Sequence, residues 1–278
     1  MDQIISISTI AYCGYDLETA LEQISKIGDG YVELDAIEGI SEHFEPSDFQ
    51  DGSFKKKIST MMKGLHLSSI AFSGHMDLSR EGIVPTFEKR MRFAQEFDIK
   101  IINTFSGPLE RIDLFYKNIK SIEQLAKSKN LIVALETHGD IISDKSSIGV
   151  LERINSENVK INYDFVNTFH AAKGRIDLEE DFRSMLPYIA HIHLKDTIFE
   201  RDRWHFTQIG KGIIDYRGIF KELRNSRKKI PMCVELPFTL EVEETGVTKK
   251  ILASLKIDQI NKTIRDSISF VRELWESV

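Results

Sequence analysis

Short apolar runs alternate along this chain with longer stretches in which apolar residues recur every three or four positions. The first kind of segment predicts a buried β-strand and the second an amphipathic helix. The run Ile4–Ser8 is the first predicted strand. The stretch after it begins at Asp16, a residue suited to cap a helix, and carries an apolar stripe from Leu17 to Ile27. Repetition of this pair to the C-terminus predicts a chain of alternating strands and helices.

Eight such pairs follow one another, and no Pro- or Gly-rich linker or change of composition divides them. The pattern therefore predicts an α/β fold with one domain over residues 1–278, a single (β/α)8 TIM barrel. Two polar segments, at about 37–52 and 238–256, are predicted as insertions at the barrel rim. The predicted strands are 4–8, 31–34, 65–72, 99–104, 131–136, 159–164, 190–194 and 232–235. The predicted helices are 16–27, 53–63, 84–97, 112–128, 144–154, 179–186, 215–225 and 258–276.

Candidate metal ligands close four of the predicted strands in the second half of the chain. Side chains alternate faces along a strand. In each of these runs the ligand falls on one face, while the apolar residues that can pack against helices fall on the other. In a closed barrel the ends of such strands meet on one rim, where barrel enzymes carry their chemistry. The four residues are Glu136, Asp164, His193 and Glu235.

Three carboxylates and one imidazole form an oxygen-rich donor set, which favours Mn²⁺, Mg²⁺ or Co²⁺ and suits Zn²⁺ less well. A cation that chelates a carbonyl and its neighbouring hydroxyl would acidify the adjacent C–H bond and stabilise the resulting cis-enediolate. Glu136 and Glu235, on the fifth and eighth strands, could then remove a proton from one face of the substrate and return one to the other. The pattern predicts a metal-dependent isomerase or epimerase acting on a small sugar, keto-polyol or sugar phosphate.

Longer strings surround these ligands: Glu136-Thr-His-Gly, Asn162-Tyr-Asp164-Phe-Val-Asn167, His191-Ile-His193-Leu-Lys195-Asp196 and Val234-Glu235. They resemble the xylose isomerase-like barrel superfamily, which includes sugar isomerases and epimerases, inosose isomerases and dehydratases, and endonuclease IV. The stretches 73–79 and 206–212 resemble loops of the same superfamily. The resemblance implies that Glu136, Asp164, His193 and Glu235 bind the metal. It also implies that the two glutamates exchange the proton, as in the ketose 3-epimerases.

Substrate contacts are predicted at four further positions. His75, at the end of the third predicted strand, and His138, on the interior face beyond the fifth, are placed to contact a substrate hydroxyl. Lys195 follows the ligand of the seventh strand on the same face and could balance the charge of an enediolate or a phosphate. Asn167 stands where the ketose 3-epimerases have a His, and Lys195 lies near the place where they have an Arg. The chain therefore departs from the 3-epimerase pattern at two substrate positions.

Composition narrows the classes of partner. The net charge of −6 argues against a general nucleic-acid binder. The chain has neither an apolar run of about 20 residues nor a basic-then-apolar leader, so no membrane association is expected. Cys13 and Cys233 offer no disulfide framework, which suits the cytoplasm. We expect a small carbohydrate substrate. Barrels of this kind often form homo-oligomers, with the 238–256 insertion as a candidate interface.

Three alternatives to an isomerase or epimerase remain open. A dehydratase of the inosose or dehydroshikimate type would form the same enolate and then expel a β-hydroxyl. A phosphodiesterase like endonuclease IV would need a histidine-rich cluster of three zinc ions and a basic rim, whereas this chain has eight histidines and an acidic balance. A catalytically silent sugar or metal binder would have little need for both Glu136 and Glu235.

Overall fold

In the computed structural model, which describes residues 3–28, 30–37, 40, 43–138, 141–243, 248–251 and 255–278, strands and helices alternate as the apolar pattern predicts. The strands are β1 (Ile5–Ser8), β2 (Val32–Asp35), β3 (Ala71–Asp77), β4 (Ile101–Phe105), β5 (Ile132–Glu136), β6 (Val159–Asp164), β7 (Ile189–Leu194), β8 (Thr197–Glu200), β9 (Arg203–Phe206), β10 (Met232–Val234), β11 (Leu240–Glu243) and β12 (Thr248–Lys250). The helices are α1 (Leu17–Ile27), α2 (Gly52–Gly64), α3 (Ile83–Glu96), α4 (Ile112–Lys129), α5 (Ile148–Ile154), α6 (Phe165–Ala171), α7 (Leu178–Met185), α8 (Tyr216–Ser226) and α9 (Ile257–Ser277).

Eight parallel strands close into a barrel in the order β1-β10-β7-β6-β5-β4-β3-β2, which confirms the predicted (β/α)8 barrel. The alternation of faces is visible on β5. Val133 and Leu135 belong to the main hydrophobic core, which also contains the buried faces of the helices, whereas Ala134 belongs to a small separate cluster with Ala71 and Ile101. Glu136 lies on the same face of β5 as Ala134. Along this face, an apolar side chain inside the barrel is followed by a polar one at the carboxyl end of the strand.

The prediction of a strand at 65–72 is wrong, because the third barrel strand lies further along the chain. The apolar residues at the start of that run belong to the connection after α2, where His66 has a left-handed φ of 55°. The polar stretch that follows and its Gly74 suggest a loop, yet they form most of β3. Polar side chains suit the barrel interior, and a Cβ at position 74 would lie only 3.0 Å from side-chain atoms of Phe72 and Ile102. His75 consequently lies within β3, not at its end.

A four-stranded antiparallel sheet, in the order β12-β11-β9-β8, accompanies the barrel. The hairpin β8–β9 replaces the loop predicted between β7 and α8, and β11 and β12 come from the predicted insertion at 238–256. Residues 244–247 and 252–254 of that insertion lie outside the described residues. Val242 pairs with Trp204 across the sheet. The apolar pattern misses the hairpin because its strands are four residues long and because β9 also pairs with β11, which comes from a distant part of the chain.

The first predicted insertion is anchored by aromatic packing. Phe44 and Phe49 are buried, with ring centroids 5.4 and 5.5 Å from that of Phe93 on α3. Residues 38, 39, 41 and 42 of this insertion lie outside the described part of the chain. None of the helices that the structure describes is long and apolar enough to cross a membrane.

Candidate active site

The predicted ligands come together at the carboxyl ends of four barrel strands. Glu136 ends β5, Asp164 ends β6, His193 is the penultimate residue of β7, and Glu235 directly follows β10. Each residue is at most 1% exposed. One potential ligand atom from each residue lies within 4.8 Å of those of the other three. The sequence-based grouping of these four residues therefore matches their positions in the fold.

Local hydrogen bonds decide which atoms face the centre. Asp164 caps α6, a short helix that the apolar pattern does not predict, and its Oδ1 accepts a hydrogen bond of 2.9 Å from the backbone N–H of Asn167. Its Oδ2 faces the site. His193 points Nδ1 toward the carboxylates, at 3.0 Å from Glu235 Oε2, 3.5 Å from Glu136 Oε2 and 3.7 Å from Asp164 Oδ2. The centre thus collects three carboxylate oxygens and one imidazole nitrogen.

Lys195 lies inside this cluster and not on a solvated rim. Its side chain is 7% exposed, and its Nζ is 2.7 Å from Asp164 Oδ2 and in contact with Glu235 Oε2. Glu136 Oε1 is 3.9 Å away. Burial alone would lower the pKa of Lys195, but the surrounding carboxylates outweigh this and hold the pKa well above its ordinary value. The side chain is therefore a fixed ammonium ion next to the ligand set.

The two glutamates differ in their electrostatic surroundings. Burial raises the pKa of Glu136 to about 8, although its Oε1 accepts a hydrogen bond of 2.6 Å from Asn167 and its Oε2 lies 2.6 Å from His75 Nε2. Burial also opposes ionisation of Glu235, but the positive charges of His193 and Lys195 hold the pKa of Glu235 well below its ordinary value. At neutral pH Glu235 is the ionised partner and Glu136 the one that is more easily protonated.

The residues fit a divalent cation. Asp164 Oδ2 and Glu235 Oε2 are fully buried, and within the described ranges neither accepts a well-directed hydrogen bond. Opposite ligands of a small octahedral cation stand about 4.2 Å apart, twice a bond of about 2.1 Å, and the four ligand atoms here all lie within 4.8 Å of one another. The hard oxygen donors and the single imidazole nitrogen suit a cation of the Mg²⁺ or Mn²⁺ class. We conclude that these residues form a candidate divalent-metal centre.

The predicted substrate residues surround this centre in a cavity of about 730 Å³. His75 is buried, and burial lowers its pKa to about 3, so its imidazole is neutral, with Nε2 2.6 Å from Glu136 Oε2. Asn167 and Lys195 also touch the ligand set. His138 lines the cavity next to Phe105, with their ring centroids 5.7 Å apart. All four positions are therefore part of the cavity wall.

Two sets of hydrogen bonds, made by Tyr216 and by Asp196, hold the backbone around Lys195 in place. The hydroxyl of Tyr216 accepts a 3.1 Å hydrogen bond from the Lys195 backbone N–H and donates a 2.5 Å bond to its carbonyl. The Asp196 carboxylate accepts bonds of 2.9, 3.0 and 3.1 Å from the backbone N–H groups of Gly210, Gly212 and Ile214. A side chain at position 212 would collide with Asp196, since a Cβ there lies 2.1 Å from Oδ1. The strings 191–196 and 206–212 thus hold each other in place.

A buried polar layer beneath the ligands was not predicted from the sequence. Glu33 of β2 is fully buried, and its Oε1 lies 2.8 Å from His193 Nε2. Ser73 of β3 and Asn103 of β4 donate to the same oxygen. One signal in the sequence could have identified Glu33. It is a charged residue in the middle of an apolar strand, and solvent reaches neither face of a barrel strand, so its carboxylate needs buried polar partners.

Comparison with known proteins finds relatives of similar sequence and similar fold. A curated 3-dehydroshikimate dehydratase from Bacillus anthracis is 25% identical over 193 residues, which are 59% of this chain and 68% of that protein. The solved structure of an L-ribulose 3-epimerase superposes with a TM-score of 0.74 at 14% identity, covering 100% of this chain and 95% of the other. A xylose isomerase-like TIM barrel protein from Mycobacterium smegmatis, in complex with magnesium, superposes with a TM-score of 0.73 at 14% identity, covering 99% and 97%. The two structural matches establish the fold.

A family model described as a xylose isomerase-like TIM barrel matches residues 21–273, which is most of the chain. The match includes all four candidate ligands and Lys195. The chain therefore belongs to the xylose isomerase-like TIM-barrel family.

Proposed function

We propose that this chain is a divalent-metal-dependent dehydratase that removes water from a small hydroxylated carbonyl compound of the dehydroshikimate type. The observation that carries the proposal is the buried ammonium of Lys195, in contact with Glu235 and 2.7 Å from Asp164. An elimination needs one base and one acid for the departing hydroxyl, and these two side chains supply both. The dehydratase from Bacillus anthracis supports the same reaction class.

The charges of the site assign the roles. Glu235, whose pKa is held low by His193 and Lys195, is the base that removes the proton next to the substrate carbonyl. The C–H electron pair becomes the new C=C bond, and the C–O bond of the β-hydroxyl breaks. The departing hydroxide takes a proton from the Lys195 ammonium and leaves as water. Because Lys195 Nζ contacts Glu235 Oε2, the abstracted proton can pass between them and restore both groups.

The remaining residues hold the substrate and the cation. Glu136, Asp164, His193 and Glu235 would bind the metal through the atoms that face the centre. When bound, a divalent cation at this position polarises the carbonyl and lowers the energy of the developing negative charge. Asn167 and His75 fix the Glu136 carboxylate, and His138 on the cavity wall is placed to bind a substrate hydroxyl.

An isomerase or epimerase, the first interpretation of the sequence, is the second candidate. It is favoured by the presence of both Glu136 and Glu235 in the site, since proton return to the opposite face needs a second acid. We place elimination first because Asn167 stands where the ketose 3-epimerase pattern calls for a His, and Lys195 lies near the place where that pattern calls for an Arg.

The test is a product assay with 3-dehydroshikimate and Mg²⁺ or Mn²⁺. We expect loss of one water, seen by mass spectrometry, and an ultraviolet-absorbing dihydroxybenzoate, because elimination makes the ring aromatic. Enzyme treated with a chelator serves as the control and should be inactive until the metal is restored. Deuterium uptake from solvent by ketoses or keto-inositols, with no water lost from 3-dehydroshikimate, would contradict the proposal and favour the isomerase.

A further inference from the structure

We infer that Glu33 is a positioning residue for the metal centre, whose carboxylate holds His193 in the tautomer that presents Nδ1 to the cation. The inference rests on the metal site of the proposed function and concerns a residue of a different part of the barrel. β2, which carries Glu33, lies three places from β7 around the barrel wall. The Glu33 carboxylate reaches across the interior to His193.

The hydrogen position follows from the geometry. Glu33 Oε1 is 2.8 Å from His193 Nε2, a hydrogen-bond distance. Glu33 Oε1 faces His193 as an acceptor, because the same oxygen accepts hydrogen bonds from the Ser73 hydroxyl and the Asn103 amide. A carboxylate only accepts, so the hydrogen of the pair lies on Nε2 of the imidazole. Nδ1 is then the atom left for a metal, and it is the one that faces the three ligand carboxylates.

Glu33 is itself held rigidly. The Ser73 hydroxyl and the Asn103 amide donate to Oε1 at 2.7 and 2.8 Å, and His191 Nε2 lies 3.1 Å from Oε2. These side chains come from β3, β4 and β7, and each is at most 1% exposed. A carboxylate fixed by three strands can hold the imidazole ring at one angle, which a solvent-exposed partner could not do.

The same contacts argue against a second cation. Glu33, His191 and His193 would form a possible ligand group by composition and distance. Oε1 of Glu33, however, already faces Ser73, Asn103 and His193, and a carboxylate oxygen has about two lone pairs. Within the described residues, this leaves only Oε2 of Glu33 and Nε2 of His191, 3.1 Å apart, without a directed hydrogen bond. Two protein atoms are too few to hold a second cation, so we assign this group to the support of one metal ion.

The experiment is a direct metal titration that needs no substrate. Mn²⁺ is titrated into the purified chain, and bound and free Mn²⁺ are measured by calorimetry and by electron paramagnetic resonance. Glu33→Gln keeps the shape and removes the charge, and Glu33→Asp keeps the charge but is too short to reach His193. Asp181→Asn is the matched control. Asp181 is a fully buried carboxylate on α7 that accepts hydrogen bonds from Tyr163 (2.7 Å) and Lys145 (2.8 Å), away from the centre.

We expect one Mn²⁺ per wild-type chain, with affinity about 10–100-fold weaker in both Glu33 variants, the usual cost of losing such a partner. Asp181→Asn should change the affinity less than about twofold, although its melting temperature falls like that of the Glu33 variants. Spectra of ¹⁵N-histidine with Mg²⁺ should show the Nε2–H tautomer of His193 in the wild type and a changed signal in Glu33→Gln.

Several results would overturn the inference. Wild-type affinity in either Glu33 variant would do so, because the hydrogen-bonded charge would then be irrelevant to the metal. Two Mn²⁺ ions per wild-type chain and one in Glu33→Gln would make the Glu33 group a second metal site. A wild-type chain that binds no Mn²⁺ would refute the proposed function together with the inference, whereas normal binding without dehydration would refute the dehydratase alone.

Discussion

Replacement of Glu235 by Gln is expected to abolish both turnover and exchange of the substrate α-hydrogen with solvent. Glu235 is the proposed base, and the loss of a positioned base costs about 10²–10⁴-fold in rate. Gln also removes a charged oxygen from the candidate metal centre. The exchange is measured by proton NMR in D₂O with Mg²⁺, and turnover by product absorbance.

A second glutamate provides the control for this variant. Glu241 on β11 is also largely buried, but it pairs with Arg203 and with no residue of the ligand set. Glu241→Gln should therefore retain turnover, with an unchanged far-ultraviolet dichroism spectrum for both variants. Exchange that persists in Glu235→Gln would remove Glu235 from the role of base.

Lys195→Met is expected to lose turnover and, at the same time, to bind the metal more tightly. The ammonium contacts Asp164 and Glu235 and so repels a cation bound by the same oxygens. Two like unit charges 4 Å apart repel by about 4 kcal/mol at an effective dielectric constant of 20. If removal of the ammonium relieves only a third of this repulsion, the metal binds about tenfold more tightly. Dehydration should fall at least about 10²-fold, because the departing hydroxide loses its proton donor.

Metal affinity separates this explanation from simple damage to the site. A variant whose centre had collapsed would bind Mn²⁺ more weakly, whereas the repulsion argument requires stronger binding. Lys173→Met, at an exposed position on the cavity wall, should leave the metal affinity unchanged. Weaker Mn²⁺ binding or near-normal dehydration in Lys195→Met would contradict the role given to the ammonium.

The ligand set could be predicted because it depends on local patterns. Glu136 and Asp164 each end an apolar run, and the period of two along a strand places them on the interior face without knowledge of the neighbours. Only the closure of the barrel was then needed to bring them near His193 and Glu235. The same reasoning gave the strand and helix order, since each element is defined within about a dozen residues.

The parts that could not be predicted depend on distant neighbours. The partner of Glu33 is His193, 160 residues away, and their contact is set by the width and stagger of the closed barrel. Contact between Lys195 and Glu235 likewise requires the register of β7 against β10. The position of β3 failed for a different reason, because Ser73 and Gly74 are typical of turns when the interior of the barrel is not considered.

The most direct test of the account is diffraction from crystals grown with Mn²⁺, using the anomalous signal of the metal. We predict one strong peak, with the carboxylates of Glu136, Asp164 and Glu235 and Nδ1 of His193 at bond distances of about 2 Å. A peak between Glu33 and His191, or no peak within reach of the four residues, would contradict the metal centre and the chemistry built on it.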